Sequence, residues 1–504
     1  MKTLNRLTQS WTLLVLTLFL FACNDSESPA TPKPDATAMD VTPSSLIGVW
    51  EKSGYGQILR IEEGVIYDYQ VSTNTCWLSN EYLANELDYF LVEVVLAADE
   101  KSFETKAELI PDHAHAYTFN KLENLPETCS DTSVTQATTD PTTNYEVLWD
   151  TFNDYYAFFE LRGVDWNEVN DAASPMLEQI YDDESLFELF SGMLQPIGDG
   201  HIHLMSEAYG IEWNAGVAPD WYLRIVDFFK ENFPEDGLRL AFEEQDDFDD
   251  FKSFEEAVFG QNYQALAAQN LENVQSYLDD LSCGVAGHIC WGTTPENVGY
   301  LVIDAMQGFV AGEDDQDSIE DLDTLNVVLD EAFQALSGTY ALIVDVRQNQ
   351  GGQESISLAV AGRFIEEEQL TYRKQARDKD TVANLHDIYL RPTGASPYTN
   401  PVYVLTSGGT YSGAETFVLS MSQLPQVILI GEPTGGIFSD MISKELPNGW
   451  TFTLSTEIYS NLDDNVYEGI GIPVDHFVDY YLPLEILDGQ DSGIEKALDL
   501  FAAQ

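Results

Sequence analysis

Basic residues are what this 504-residue chain has least of: 22 lysines and arginines face 86 aspartates and glutamates, a formal net charge of −64. That scarcity argues against a nucleic-acid binder, whose affinity comes from cations neutralising phosphates. It equally opposes electrostatic adhesion to anionic lipid and leaves a soluble, self-repelling surface. Long apolar runs are also lacking, and after Phe21 no stretch is apolar for long enough to cross a membrane as a helix. The acidic runs Asp246–Asp250 and Glu313–Asp317 lack the spaced Asp-x-Asp-x-Asp-Gly pattern of a calcium loop and read as solvated surface.

What the chain does have begins at its start. Lys2 and Arg6 precede the uncharged run Trp11–Phe21, a charged region followed by a short apolar one, as in an export signal over residues 1–22. Leu20-Phe21-Ala22-Cys23 resembles the lipobox of bacterial lipoproteins, which implies lipidation of Cys23 and a tether over residues 23–44. The membrane is then met through a lipid anchor only, and the expected location is the bacterial cell envelope, at the outer membrane and facing the periplasm or the exterior. Four cysteines remain, an even number in an exported chain, and Cys76–Cys129 and Cys283–Cys290 are the expected disulfides. A zinc site is disfavoured, because Cys283 and Cys290 with His288 between them lack close ligand pairs.

The length suggests two or three domains. Residues 45–130 read as a small β domain, with short segments such as Gly56–Ile61 and Val65–Val71 rich in β-branched and aromatic residues. His113 and His115 alternate on what reads as one strand face there, without a third metal ligand in sight. Residues 131–143 form a Thr/Ser/Asp-rich linker, and residues 144–204 carry apolar side chains at helical spacing. Residues 205–296 read as an acidic insertion with a helix near Phe254–Leu278. From residue 297 to 504 strand and helix alternate, which predicts an α/β core with a largely parallel sheet.

Two strand–turn–helix units in that core carry chemistry. The apolar run Ala341–Val346 leads into Gly351-Gly352, and Val402–Thr406 leads into a turn that delivers Ser412 to the start of a helix. Paired glycines can free backbone N–H groups, and a serine at a helix start can be either a cap or a nucleophile. Ser412-Gly413-Ala414-Glu415 also reads as a capping box, so Ser412 alone decides nothing. A nucleophile beside an oxyanion hole is what acyl transfer requires, and together the two units point to a serine hydrolase.

The motifs Asp345-x-Arg347-x-Asn349-x-Gly351-Gly352, Thr410-x-Ser412-x-x-Glu415 and Gly431-Glu432-Pro433-Thr434-Gly435-Gly436 resemble, in order and spacing, the C-terminal processing (tail-specific) protease family. The resemblance covers roughly residues 144–204 and 297–480. It implies a ClpP/crotonase-like core, a serine peptidase working through an acyl-enzyme, no metal or organic cofactor, and peptides or unfolded polypeptides as substrates. One branch of the family uses a Ser–Lys dyad, but its lysine position is Ile437 here, and Lys444 lies out of register. The tricorn-like branch uses Ser, His and Glu. Gly198-Asp199-Gly200-His201 is similar to its histidine turn, although Gly200 stands where a serine is common, and Glu468 fits its Glu-x-x-Gly motif. The implied site is Ser412 as nucleophile and His201 as base, with His203 as the competing base. Glu468 would orient the histidine, and backbone N–H groups of Gly413 and of Gly351 or Gly352 would form the oxyanion hole. The family also includes retinoid-binding relatives, so a binding protein on the same fold is the alternative reading, with an esterase as a third. Oligomeric state, cleavage specificity and the role of the β domain are not legible in the sequence.

Overall fold

The computed structural model describes residues 45–83, 91–106, 116–130, 134–206, 209–243, 250–310 and 318–503. Residues 1–44, where an export signal and the Cys23 tether are expected, lie outside the described residues, as do His113, His115 and most of both acidic runs.

The N-terminal domain is a seven-stranded sheet of antiparallel pairs in the order Cys76–Leu83, Val65–Val71, Gln57–Glu62, Gly48–Lys52, Ala116–Leu122, Ser102–Lys106, Val92–Leu96. One face packs Trp50, Leu59, Ile61, Ile66, Phe103 and Phe119 into a small core. Burying each such large side chain stabilises the fold by about 1.5–3 kcal/mol. The Cys76–Cys129 disulfide ties the short turn Glu127–Cys129 to this sheet.

Four α-helices follow, Pro141–Tyr155, Phe159–Arg162, Trp166–Ala173 and Asp183–Leu194, and the caps of the first and last show why they start where they do. Asp140 accepts the Thr143 N–H at 2.9 Å to open Pro141–Tyr155, and Asp182 with Ser185 forms a capping box for Asp183–Leu194. Their apolar faces meet Phe452 and Leu454, so this region and the α/β core share one hydrophobic cluster.

The core sheet runs Ser282–Cys283, Ile289–Thr293, Val298–Ile303, Ala341–Asp345, Val402–Thr406, Val427–Gly431, His476–Phe477. From Val298–Ile303 onward the pairs are parallel, with Val344 opposite Val404 and Val404 opposite Leu429. Every residue of Ala341–Asp345 and Val402–Thr406 is buried, which is why both read as unbroken apolar runs. The first two strands come from the stretch read as an acidic insertion, and they pair antiparallel to each other and to the core edge. The Cys283–Cys290 disulfide joins them.

Two smaller sheets complete the fold. Met441–Glu445, Thr451–Ser455, His203–Ser206 and Ile211–Asn214 form one, which holds the histidine turn against the core. Thr381–Leu390, Gln369–Asp378 and Glu457–Ser460 form the other. No helix among the described residues is long and apolar enough to cross a membrane.

Candidate active site

Ala341–Asp345 and Val402–Thr406 are neighbours in a parallel sheet, so the turns that follow them leave the same edge side by side. In open α/β sheets this carboxyl edge is where sites form. The meeting is close. A Cβ on Gly351 would come within 2.7 Å of Ser412 Cβ and of the Gly413 nitrogen, and Gly351 holds φ +95°. Only glycine fits there.

The Asp-x-Arg-x-Asn motif builds this turn. Arg347 is buried between Asp345 and Asp491, donating Nη2 to Asp345 at 2.6 Å and to Asp491 at 2.9 Å. Asn349 donates Nδ2 to the Ile303 carbonyl at 3.1 Å and accepts the Gly351 N–H at 2.8 Å. Tyr411 N–H donates to the Asn349 carbonyl at 3.2 Å, joining the two turns. The Gly351 amide is therefore occupied. Among the described residues, the N–H groups of Gly352 and Gly413 have no protein acceptor.

Ser412 sits at the N-cap position of Gly413–Ser422, yet its side chain makes no capping bond. Its backbone is held at φ 55°, ψ −129°, a region a non-glycine residue rarely occupies. Such strain costs about 1–3 kcal/mol and persists only where the surroundings impose it. Here its N–H donates to the Ile437 carbonyl at 2.9 Å. The side chain is half-buried and makes no hydrogen bond among the described residues.

Glu415 is drawn elsewhere than the cap its spacing suggests. Its carboxylate accepts Thr434 Oγ1 at 2.5 Å and the N–H groups of Gly436 at 2.8 Å and Ile437 at 2.7 Å. Burial pushes its pKa up to about 7, against those hydrogen bonds. It thereby clamps the Gly431–Gly436 turn onto the serine helix.

His201 is buried in the turn after Gly200, its N–H held by Asp199 at 2.9 Å and its carbonyl by Thr453 Oγ1 at 2.7 Å. The ring nitrogen Nδ1 is buried without a partner. Burial pushes its pKa down to about 4, with the Asp199 carboxylate opposing, so the imidazole is neutral at neutral pH. No hydrogen bond joins its ring to Ser412. The two are linked through Ile437, whose carbonyl receives the Ser412 amide and whose side chain packs on Gly200. His203 is engaged differently, with Nδ1 3.2 Å from Glu212 and Nε2 3.0 Å from Asn214.

Glu468 is buried beside the histidine turn, and among the described residues its carboxylate makes no hydrogen bond to the imidazole. Oε2 accepts the N–H groups of Phe438 at 2.9 Å and Ser439 at 3.2 Å, and Oε1 accepts Arg162 Nη2 at 2.9 Å. Burial, reinforced by Asp199, holds its carboxyl well above the usual range, and Arg162 opposes this. Arg162 also donates Nη1 to the Gly198 carbonyl at 2.9 Å, so it spans the histidine turn and Glu468. The sequence reading missed this arginine. Its one visible signal is being a cation in so acidic a chain.

The lysines fall away from the serine. Lys444, its pKa lowered to about 8 by burial, donates to the carbonyls of Tyr55 at 2.6 Å and Gly56 at 3.0 Å in the β domain. Lys374 is buried against Glu354 at 2.8 Å, Glu457 at 3.1 Å and Asp440 at 3.4 Å. These carboxylates hold it charged despite its burial. Neither is placed as the neutral base of a dyad.

Residues 297–478 match peptidase family S41, and residues 137–195 match the tricorn protease C1 domain. Among solved structures, the chain is similar to a Parabacteroides merdae protein assigned as a peptidase: 26% identity, 72% of this chain and 97% of that one covered, TM-score 0.54. It is also similar to mature CPAF complexed with lactacystin, at 10% identity over 72% and 97% of the two chains, TM-score 0.47. The fold and the matched segments define a serine-type peptidase. Together the two matched segments support placing the chain with the C-terminal processing proteases, its residues 297–478 carrying the family S41 match.

Proposed function

We propose that Ser412 is the nucleophile of this peptidase and that it cleaves peptides or unfolded polypeptides through an acyl-enzyme. The observation that carries this reading is the strained, uncapped Ser412 lying beside two unspent amides, those of Gly352 and Gly413. Ser412 Oγ attacks the scissile carbonyl carbon and its proton passes to His201, which burial keeps neutral and able to accept it. The Gly352 and Gly413 N–H groups receive the charge that develops on the carbonyl oxygen. His201 then returns the proton to the leaving amine, and water reverses the sequence to release the acid. Glu468 acts one step back, holding the 438–439 backbone beside the imidazole while Arg162 balances its charge. Substrate entry brings Ser412 and His201 into hydrogen-bond reach, since resting geometry in such sites is often loose.

Incubation with unfolded casein and with an activated ester, comparing the parent chain with Ser412→Ala, tests this reading. Casein cleavage that disappears in the variant is the expected result. Ester hydrolysis without casein cleavage would move the chain to the esterase reading. Turnover in Ser412→Ala would refute the nucleophile.

The same reading places the enzyme in the bacterial cell envelope, exported by residues 1–22 and anchored through lipidated Cys23. Two features support it: the Leu20-Phe21-Ala22-Cys23 pattern, and an acidic composition that gives no electrostatic hold on anionic lipid. Loss of membrane fractionation in Cys23→Ser is the expected outcome.

A further inference from the structure

Between the N-terminal sheet and strand Met441–Glu445 lies a cavity of about 430 Å³, far from any role in the chemistry above. Its volume falls in the range of small-molecule sites, roughly 300–1,000 Å³. Lys52 projects into it with its ammonium 3.1 Å from the Tyr117 ring centroid and 4.4 Å from that of Tyr55. In a chain with 86 acidic residues, no carboxylate among the described residues makes an ion pair with this ammonium. Burial pulls its pKa down to about 7, with Glu457 and Asp68 opposing and Lys444 adding to the depression. Lys52 thus feels Glu457 and Asp68 through space but makes no direct ion pair with either among the described residues.

None of the other charged groups of the lining, Lys444, Asp68 and Glu445, pairs directly with it among the described residues. Lys444 spends its protons on the Tyr55 and Gly56 carbonyls. Asp68 is held by Gln57 Nε2 at 3.0 Å, and burial raises its pKa. Ser79, Asn80 and Ser443 complete the wall with neutral polar groups, Asn80 and Ser443 being exposed. One unspent cation, two aromatic faces and neutral hydrogen-bonding groups describe a site for one negative charge. With Lys444 offset by Asp68 and Glu445 in the same wall, the lining is far from strongly positive, which disfavours a multiply charged ligand.

We propose that this cavity binds a small organic monocarboxylate bearing further hydrogen-bonding groups, its carboxylate on Lys52 between Tyr55 and Tyr117. Charge-assisted hydrogen bonds to a partly desolvated ammonium are the strong kind, and the rings confine the ligand from the sides. The site is independent of Ser412 and does not rest on the peptidase reading.

Calorimetric titration of the full chain with acetate, N-acetylglycine and glucuronate tests it, with N-acetylglycinamide as the uncharged match and inorganic phosphate as the multiply charged anion. At least one carboxylate should saturate a single site, with the amide about tenfold weaker or more. Lys52→Met should weaken binding about tenfold or more, and Ser443→Trp should block the mouth with Lys52 in place. Ser412→Ala should bind unchanged. The proposal is overturned if none of the three carboxylates binds, if acid and amide bind alike, if folded Lys52→Met binds as the parent does, or if phosphate binds as tightly as the carboxylates.

Discussion

Ile437 and Gly200 occupy one space: a Cβ on Gly200 would lie 2.8 Å from Ile437 Cδ1. In the sequence these are two separate departures, an isoleucine where the dyad branch has lysine and a glycine where a serine often precedes the histidine. In the structure each explains the other, because a serine at 200 would collide with the isoleucine. The collision is with the end of a flexible side chain, so its cost should be modest. Gly200→Ser is expected to lower kcat/KM several-fold, and adding Ile437→Ala should recover part of the loss. A double-mutant cycle on kcat/KM measures the coupling, and strictly additive effects would show that the two do not share the space.

Gly413→Ala should damage the oxyanion site more than the fold. Its new Cβ would stand 2.6 Å from the Gly352 carbonyl oxygen, forcing apart the two turns whose amides are free. Loss of one such donor lowers kcat by about 10²–10³. Steady-state kinetics beside a thermal melt would separate the two effects.

The pH profile reports on His201. With its pKa pushed down to about 4, the imidazole stays neutral and able to accept a proton well below pH 6.5. The acid limb of kcat/KM is therefore expected near pH 4. The sign for stability is the same: the unfolded chain binds this proton at higher pH, so the contribution is full above about 6.5 and is lost as pH falls toward 4. An unimpaired His201→Ala would move the base to His203.

Lys374→Met should be among the most destabilising single changes. It leaves Glu354, Asp440 and Glu457 buried around a missing cation, and breaking such a cluster costs about 3–5 kcal/mol. Denaturant unfolding at neutral pH measures it. A change below about 1 kcal/mol would mean that the carboxylates take up protons at little cost.

The sequence made the parallel strands and their turns legible because Ala341–Asp345 and Val402–Thr406 are buried on both faces and read as plain apolar runs. The paired disulfides were legible from cysteine parity, and the position of Ser412 at a helix start from the strand and turn before it. The hairpin Gln369–Asp378 with Thr381–Leu390 was not, because its buried positions Tyr372, Lys374 and Ala376 alternate with Arg373, Gln375 and Arg377. A buried lysine makes an interior strand look like a surface one. Glu415 read as a cap because the spacing fits one; its real partners lie 19 to 22 residues on, in a turn only the fold brings near. Arg162 and Glu468 are 306 residues apart, a separation across which local pattern carries no signal.

The most direct test of the central claim is intact-mass detection of fluorophosphonate labelling on the purified chain, with Ser412→Ala and His201→Ala alongside. A serine activated by a neighbouring base should give one adduct, mapped to Ser412, absent from the first variant and strongly reduced in the second. No adduct on the folded parent chain, or an adduct that persists in Ser412→Ala, would contradict the assignment of Ser412 as the nucleophile.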